Sequence, residues 1–166
     1  MAENITKRVK IYQSVGKAGS FLLFAGCFCP ILAGVQQSFA DVFVASLGLL
    51  SRGDASGVGV DAMLSFMALL IASRCLFTAL MGDVADLRSP AVQAWVVLLV
   101  SYTYYFGLVF PVHFGADWGW SVLFLGATLV AFGSFRSHAE LEEEPESATE
   151  EPREPGRSPH GKRNKT

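Results

Sequence analysis

Residues 62–82 have the sequence AMLSFMALLIASRCLFTALMG, an apolar run of 21 residues with one charged side chain, Arg74, beyond its middle. At a rise of 1.5 Å per residue, a helix of this length covers about 32 Å, close to the thickness of the hydrocarbon core of a bilayer. Three further runs of similar character lie at residues 18–35, 91–112 and 118–135. The sequence therefore predicts an all-α membrane protein in which four transmembrane helices form a bundle.

The charged residues are distributed unevenly along the chain. Five of the 28 lie in residues 1–17, nine in residues 18–135 and fourteen in residues 136–166. About 25% of residues are charged in a soluble domain, which excludes that class for the middle segment. A net charge of −2 also excludes the strongly basic surface expected of a nucleic-acid-binding protein. The chain thus divides into a basic N-terminal segment, a four-helix transmembrane domain and a polar tail.

Two polar segments flank the predicted bundle. Residues 136–166 are rich in Glu, Pro, Arg and Ser, first acidic and then basic, and cannot bury enough apolar surface to fold. We expect this segment to be a disordered cytoplasmic tail. Lys and Arg resist translocation across the membrane. With both termini in the cytoplasm, six of the seven basic residues that flank the spans lie on the cytoplasmic side and Arg52 lies on the opposite side. Between the first two spans, residues 41–50 are too short to cross a bilayer and predict a short interfacial or folded-back helix.

Arg74 is the residue whose position demands an explanation. An ionisable side chain deep in a bilayer costs about 2.5–3.5 kcal/mol, so it needs a partner, a cavity or access to the interface. The third run offers hydroxyl groups and aromatic rings that a guanidinium can bind. We predict a contact between Arg74 and this cluster, which consists of Ser101, Tyr102, Tyr104 and Tyr105. Snorkelling of Arg74, a ligand or transport role, and simple packing of the tyrosines remain open alternatives.

Small residues recur along the first and last runs and allow helices to approach closely. We predict that they form helix-packing seams, within the chain, with a partner protein or in a homo-oligomer. The residues are Gly19, Gly26 and Ala33 in the first run and Ala127, Ala131 and Ser134 in the last.

Catalytic and metal-binding motifs are absent from the sequence. It has no Ser/His/Asp arrangement, no Gly-rich phosphate loop and no zinc-type ligand set. The three cysteines, Cys27, Cys29 and Cys75, fit the role of small apolar packing groups. We therefore expect no enzyme activity, no cofactor and no bound metal.

Two short motifs resemble a known family. Gln37-Ser38-Phe39, after the first run, and Arg74-Cys75-Leu76, within the second, are similar to the four-span endoplasmic reticulum scaffold family of sterol C-4 demethylation in ergosterol biosynthesis. Trp95 also lies near a family Trp at the start of the third span. The resemblance implies a non-catalytic protein of the endoplasmic reticulum that tethers sterol-modifying enzymes, with Arg74 as a helix-packing or partner-binding group. The chain departs from the family at residues 103–107, where the family has polar His and Glu, and at Val60-Asp61, where the family has a basic residue.

Two functions follow from these observations. The favoured function is a non-catalytic integral membrane scaffold or accessory subunit that binds and organises other integral membrane proteins. The alternative is binding or transport of a small molecule, lipid or ion through a polar site around Arg74, which requires the polar groups of the bundle to converge.

Overall fold

A computed structural model of the chain describes residues 2–31, 36–53, 59–109 and 117–147, with side chains described for residues 6–31, 36–53, 59–107 and 117–140. These ranges are helical and contain no β-strand. A 3-10 helix (Val84–Leu87) leads into the fourth α-helix, and a π-helix (Tyr104–Val109) follows it. The five α-helices are α1 (Ala2–Gly26), α2 (Phe39–Ser51), α3 (Val60–Met81), α4 (Arg88–Thr103) and α5 (Trp118–Ser147).

Within the described residues, three helical segments are long and apolar enough to cross a membrane. They are Val60–Met81, Val84–Gly107 and Trp118–Glu140, and they correspond to the second, third and fourth apolar runs of the sequence. The all-helical, membrane-type fold is therefore confirmed at this level. Pro90 is tolerated in α4 because it lies in the first turn, where a missing N–H breaks no intrahelical hydrogen bond.

The first apolar run forms a different structure from the one predicted. α1 ends at Gly26, and tight turn hydrogen bonds follow, from the Cys27 N–H to the Phe24 carbonyl (3.1 Å) and from the Cys29 N–H to the Gly26 carbonyl (3.1 Å). Pro30 then prevents the helix from resuming at once. In the other direction α1 extends to Ala2 and carries several lysines, so the expected uninterrupted span over residues 18–35 is not found.

α2 covers the segment for which a short helix was predicted. Ser38 caps it, because the Ser38 hydroxyl accepts a hydrogen bond from the Asp41 N–H (3.2 Å) while the Asp41 carboxylate accepts one from the Ser38 N–H (3.0 Å). Phe43 of α2 stacks on Phe66 of α3 with ring centroids 5.6 Å apart. At the start of α2, Phe39 is fully buried and packs edge-to-face on Trp120 of α5.

α5 continues to Ser147, past the boundary predicted for the disordered tail at residue 136. Its last 12 residues, 136–147, include Ala, Leu and Glu, which favour a helix. Ser137 is fully buried, and Tyr12 of α1 packs on Phe132 of α5 with ring centroids 5.8 Å apart. The helix extends beyond residue 136 because this polar part of α5 packs against α1. Residues 148–166 of the predicted tail lie outside the described residues.

Candidate functional site

Arg74 lies on the outside of the helix bundle. Its side chain is exposed, and one of its guanidinium nitrogens donates a hydrogen bond to the Gln93 side-chain oxygen of α4 at 3.4 Å. Arg74 is seven residues from the end of α3 at Met81, a distance of about 10 Å along the helix. The charge is therefore within a candidate span and faces away from the core.

The tyrosine cluster lies at a different depth from Arg74. Gln93, which marks the level of Arg74 on α4, precedes Tyr102 by nine residues, or about 14 Å along the helix. Among the described contacts, the Arg74 guanidinium is hydrogen-bonded to Gln93 and not to a tyrosine. The structure thus does not bring Arg74 together with Ser101, Tyr102, Tyr104 and Tyr105.

The tyrosine cluster itself is part of an aromatic end of the bundle. Ser101 and Tyr105 are buried, Tyr104 is half-buried and Tyr102 is exposed over 39% of its surface. Tyr102 packs edge-to-face on Trp120 of α5 with ring centroids 5.2 Å apart. These residues join the end of α4 to the start of α5.

A small cavity lies inside the bundle. Its volume is about 10 Å³, roughly the room of one water molecule, and its lining is apolar. Arg74 and the tyrosines do not line it. The polar groups predicted for a transport pathway therefore do not converge on this cavity.

The small residues of α1 and α5 form a close-packed antiparallel seam. Gly19 lies against the backbone of α5, where an added Cβ would be 2.6 Å from the Val130 nitrogen, and an added Cβ on Gly26 would be 2.9 Å from the Leu123 side chain. On α5, Ala127 and Ser134 are fully buried and Ala131 is half-buried. Ala33 lies outside the described residues.

Sequence reasoning missed three further close contacts between the N-terminal part of the chain and α5. An added Cβ on Gly133 would be 2.6 Å from the Gly16 Cα, and one on Gly126 would be 2.5 Å from the Leu23 nitrogen. Gly119 is equally confined, against the Pro30 carbonyl, and donates its N–H to that oxygen at 3.0 Å. The seven-residue spacing of Gly119, Gly126 and Gly133 was the available signal.

The cysteines do not form a metal site. Cys27 and Cys75 are buried and Cys29 is half-buried, and all three are free thiols. Within the described ranges, no three His, Cys, Asp or Glu side chains are grouped closely enough to hold a metal ion.

Comparisons with known proteins identify no relative. No protein-family model, curated protein or solved structure matches this chain.

Proposed function

We propose that this chain is a non-catalytic integral membrane scaffold or accessory subunit, which binds other integral membrane proteins through the α3–α4 surface around Arg74. The observation that carries the proposal is the exposed guanidinium of Arg74, whose described hydrogen bond to Gln93 is long. An arginine that faces lipid at this depth costs about 2.5–3.5 kcal/mol on insertion scales. A partner helix that supplies hydrogen-bond acceptors would remove much of this cost.

The surroundings of Arg74 suit a transmembrane helix of another protein. Leu70 and Phe77, one turn before and after Arg74 on α3, are exposed, and so are Val96 and Val100 on the Gln93 side of α4. This surface is apolar apart from the Arg74–Gln93 pair. Apolar side chains provide packing between membrane helices, and a polar group fixes their relative position. A partner carboxylate would match the planar guanidinium best, because it can accept two parallel hydrogen bonds.

The same proposal includes a topology with four membrane elements. α1 packs against α5 in antiparallel orientation, which supports α1 as the fourth element. The distribution of Lys and Arg supports cytoplasmic positions for both termini. The sequons Asn4-Ile5-Thr6 and Asn164-Lys165-Thr166 should then remain without sugar, and glycosylation of either would overturn this topology.

The family resemblance supports sterol-modifying enzymes of the endoplasmic reticulum as the partners. Two residues of the motifs that carry the resemblance have a structural role within this chain: Ser38 caps α2, and Phe39 packs in the core. Gln37 and Arg74 are the exposed residues of these motifs, and Arg74 is the one that lies on α3.

Mild-detergent purification of the full-length chain, followed by identification of the co-purified proteins, tests the proposal. We expect stoichiometric recovery of one or more membrane enzymes with the native chain. Recovery should fall at least tenfold with Arg74→Leu and be partly retained with Arg74→Lys. Arg52→Leu is the matched control, since Arg52 is exposed beyond the end of α2 and outside the α3–α4 surface.

Two results would count against the scaffold function. One is identical partner recovery from the native chain and both Arg74 variants. The other is a solute-dependent flux in liposomes that contain this protein alone, which would favour the transport alternative.

A further inference from the structure

Four buried oxygen atoms at the α3–α4 interface lack hydrogen-bond partners in the described part of the chain. They belong to the side chains of Asp61 (Oδ1) and Ser65 on α3, of Ser101 on α4 and of Tyr105 in the π-helix that follows α4. Ser65 and Ser101 are completely buried, and Tyr105 is 2% exposed. Buried polar groups in proteins nearly always have a partner, so a group of four unpaired oxygens indicates a missing ligand.

The helix geometry places these oxygens at similar levels of the neighbouring helices. Asp61 and Ser65 are four residues apart on α3 and share one of its faces, and Tyr105 follows Ser101 by four residues across the junction of α4 with the π-helix. The Tyr105 hydroxyl is close to the Ser65 hydroxyl, although the two do not meet hydrogen-bond geometry, and the charge of Asp61 acts on Tyr105 electrostatically. The Arg74–Gln93 contact sets an antiparallel register that places Ser101 opposite residues 65–66.

The backbone is also irregular at Tyr105. The π-helix Tyr104–Val109 begins at the residue next to Tyr105, and the Tyr104 hydroxyl interacts with the Asp61 carboxylate. π-helical turns are rare and frequently occur at functional sites.

We propose that Asp61, Ser65, Ser101 and Tyr105 bind a small monovalent metal cation of the Na⁺ type. An oxygen-only set of ligands suits a hard cation, and a single carboxylate balances a single positive charge. The contact described for the Asp61 carboxylate is with the Tyr104 hydroxyl, which carries no positive charge. Water molecules would satisfy the hydroxyl groups, whereas a cation would in addition balance the charge of Asp61, which is half-buried at the start of α3. A bound cation satisfies both requirements.

This site is independent of the proposed partner surface. Asp61 precedes Arg74 by 13 residues on α3, a separation of about 20 Å along the helix. The cation site can therefore be present or absent without changing the scaffold proposal.

Thermal unfolding of the purified full-length chain in mild detergent tests the cation site. Trp fluorescence is recorded in NaCl and in N-methyl-glucamine chloride at equal ionic strength. A cation that binds the folded state raises the unfolding midpoint with its concentration. We expect a rise of several degrees in NaCl for the native chain. Asp61→Asn should abolish the rise, while Asp83→Asn, which changes an exposed carboxylate beyond the other end of α3, should keep it.

Each outcome decides the proposal. Equal midpoints in the two salts for the native chain would overturn it in favour of bound water. A sodium-dependent rise that persists unchanged in Asp61→Asn would also overturn it, because the effect would then be general. If Asp61→Asn does not fold, Ser65→Ala and Tyr105→Phe each remove one oxygen and should reduce the sodium response; an unchanged response in both would overturn the site.

Discussion

Gly133→Ala should destabilise the bundle because the α1–α5 seam has no room for one methyl group at this position. The new Cβ would lie 2.6 Å from the Cα and the nitrogen of Gly16 and 2.7 Å from the Tyr12 carbonyl oxygen. Carbon atoms pack at about 3.5–4.0 Å, so the two helices would have to separate locally by about 1 Å. Backbone atoms line the contact on the α1 side, and they cannot rotate away as a flexible side chain can.

The size of the effect can be isolated with a matched substitution. Gly48 lies in α2, and an added Cβ there meets nothing within 4 Å. Replacing Gly by Ala inside a helix gains up to about 1 kcal/mol from helix propensity at either position. The difference between Gly133→Ala and Gly48→Ala is therefore the overpacking cost, about 1–3 kcal/mol. For a chain of this size, that corresponds to a difference of about 2–12 °C in unfolding midpoint.

Thermal unfolding of both variants in one detergent measures this difference. Gly126→Ala, whose Cβ would lie 2.5 Å from the Leu23 nitrogen, should behave like Gly133→Ala. If both variants unfold at the temperature of Gly48→Ala, the close approach of α1 to α5 is not a feature of the folded protein.

Three further results are expected. Ser38→Ala removes the side-chain cap of α2 and should cost about 0.5–2 kcal/mol of local stability, measured as faster amide hydrogen exchange at the start of α2; unchanged exchange would contradict the capping role. Hydrogen bonds from the Ser38 hydroxyl and its N–H lower the pKa of Asp41, so this carboxylate stabilises α2 above its unfolded-state pKa, and the contribution disappears as the pH falls through the lowered value; Asp41→Asn should remove that acid-dependent loss from the exchange profile. Amide protons of residues 136–140 should exchange slowly, as expected for helix; rapid exchange would restore the boundary at residue 136.

The spans were predictable where one physical property decides the structure. Length and apolar composition are sufficient to place α3, the third span and α5, because a membrane helix needs about 20 apolar residues. The first run, residues 18–35, has the same apolar composition, but composition does not reveal the turns at residues 27–29 that precede Pro30. The extension of α5 was missed for a related reason: Ser137 becomes buried through packing between helices, which composition does not describe.

Arg74 does not contact the predicted tyrosine cluster because the register of α3 against α4 differs from the one that the apolar runs suggest. Pairing the run 62–82 with the run 91–112 in antiparallel order places Arg74 near Ser101. In the structure the third span includes the 3-10 helix and begins at Val84, seven residues before the predicted start at residue 91. Seven residues are about two helical turns, so Gln93 lies opposite Arg74. The Asp83 side chain caps this 3-10 helix at the Ala85 N–H (3.2 Å), a turn signal that hydropathy does not register.

The direction of the two charges on α3 could have been derived from the sequence. Successive residues of a helix are rotated by about 100°, so the 13 residues from Asp61 to Arg74 correspond to a net rotation of about 220°. Ser65, four residues after Asp61, lies on nearly the same face as Asp61 and about 180° from Arg74. One face of α3 therefore directs the Ser65 hydroxyl into the bundle, while the opposite face carries the exposed Arg74. Because a helix in a bundle cannot bury both faces equally, the inward oxygens and the outward arginine cannot belong to one site. The depth of a charged side chain in a span sets the free-energy cost of burying it. Its angle around the helix determines whether a group of the same chain or another molecule compensates the charge.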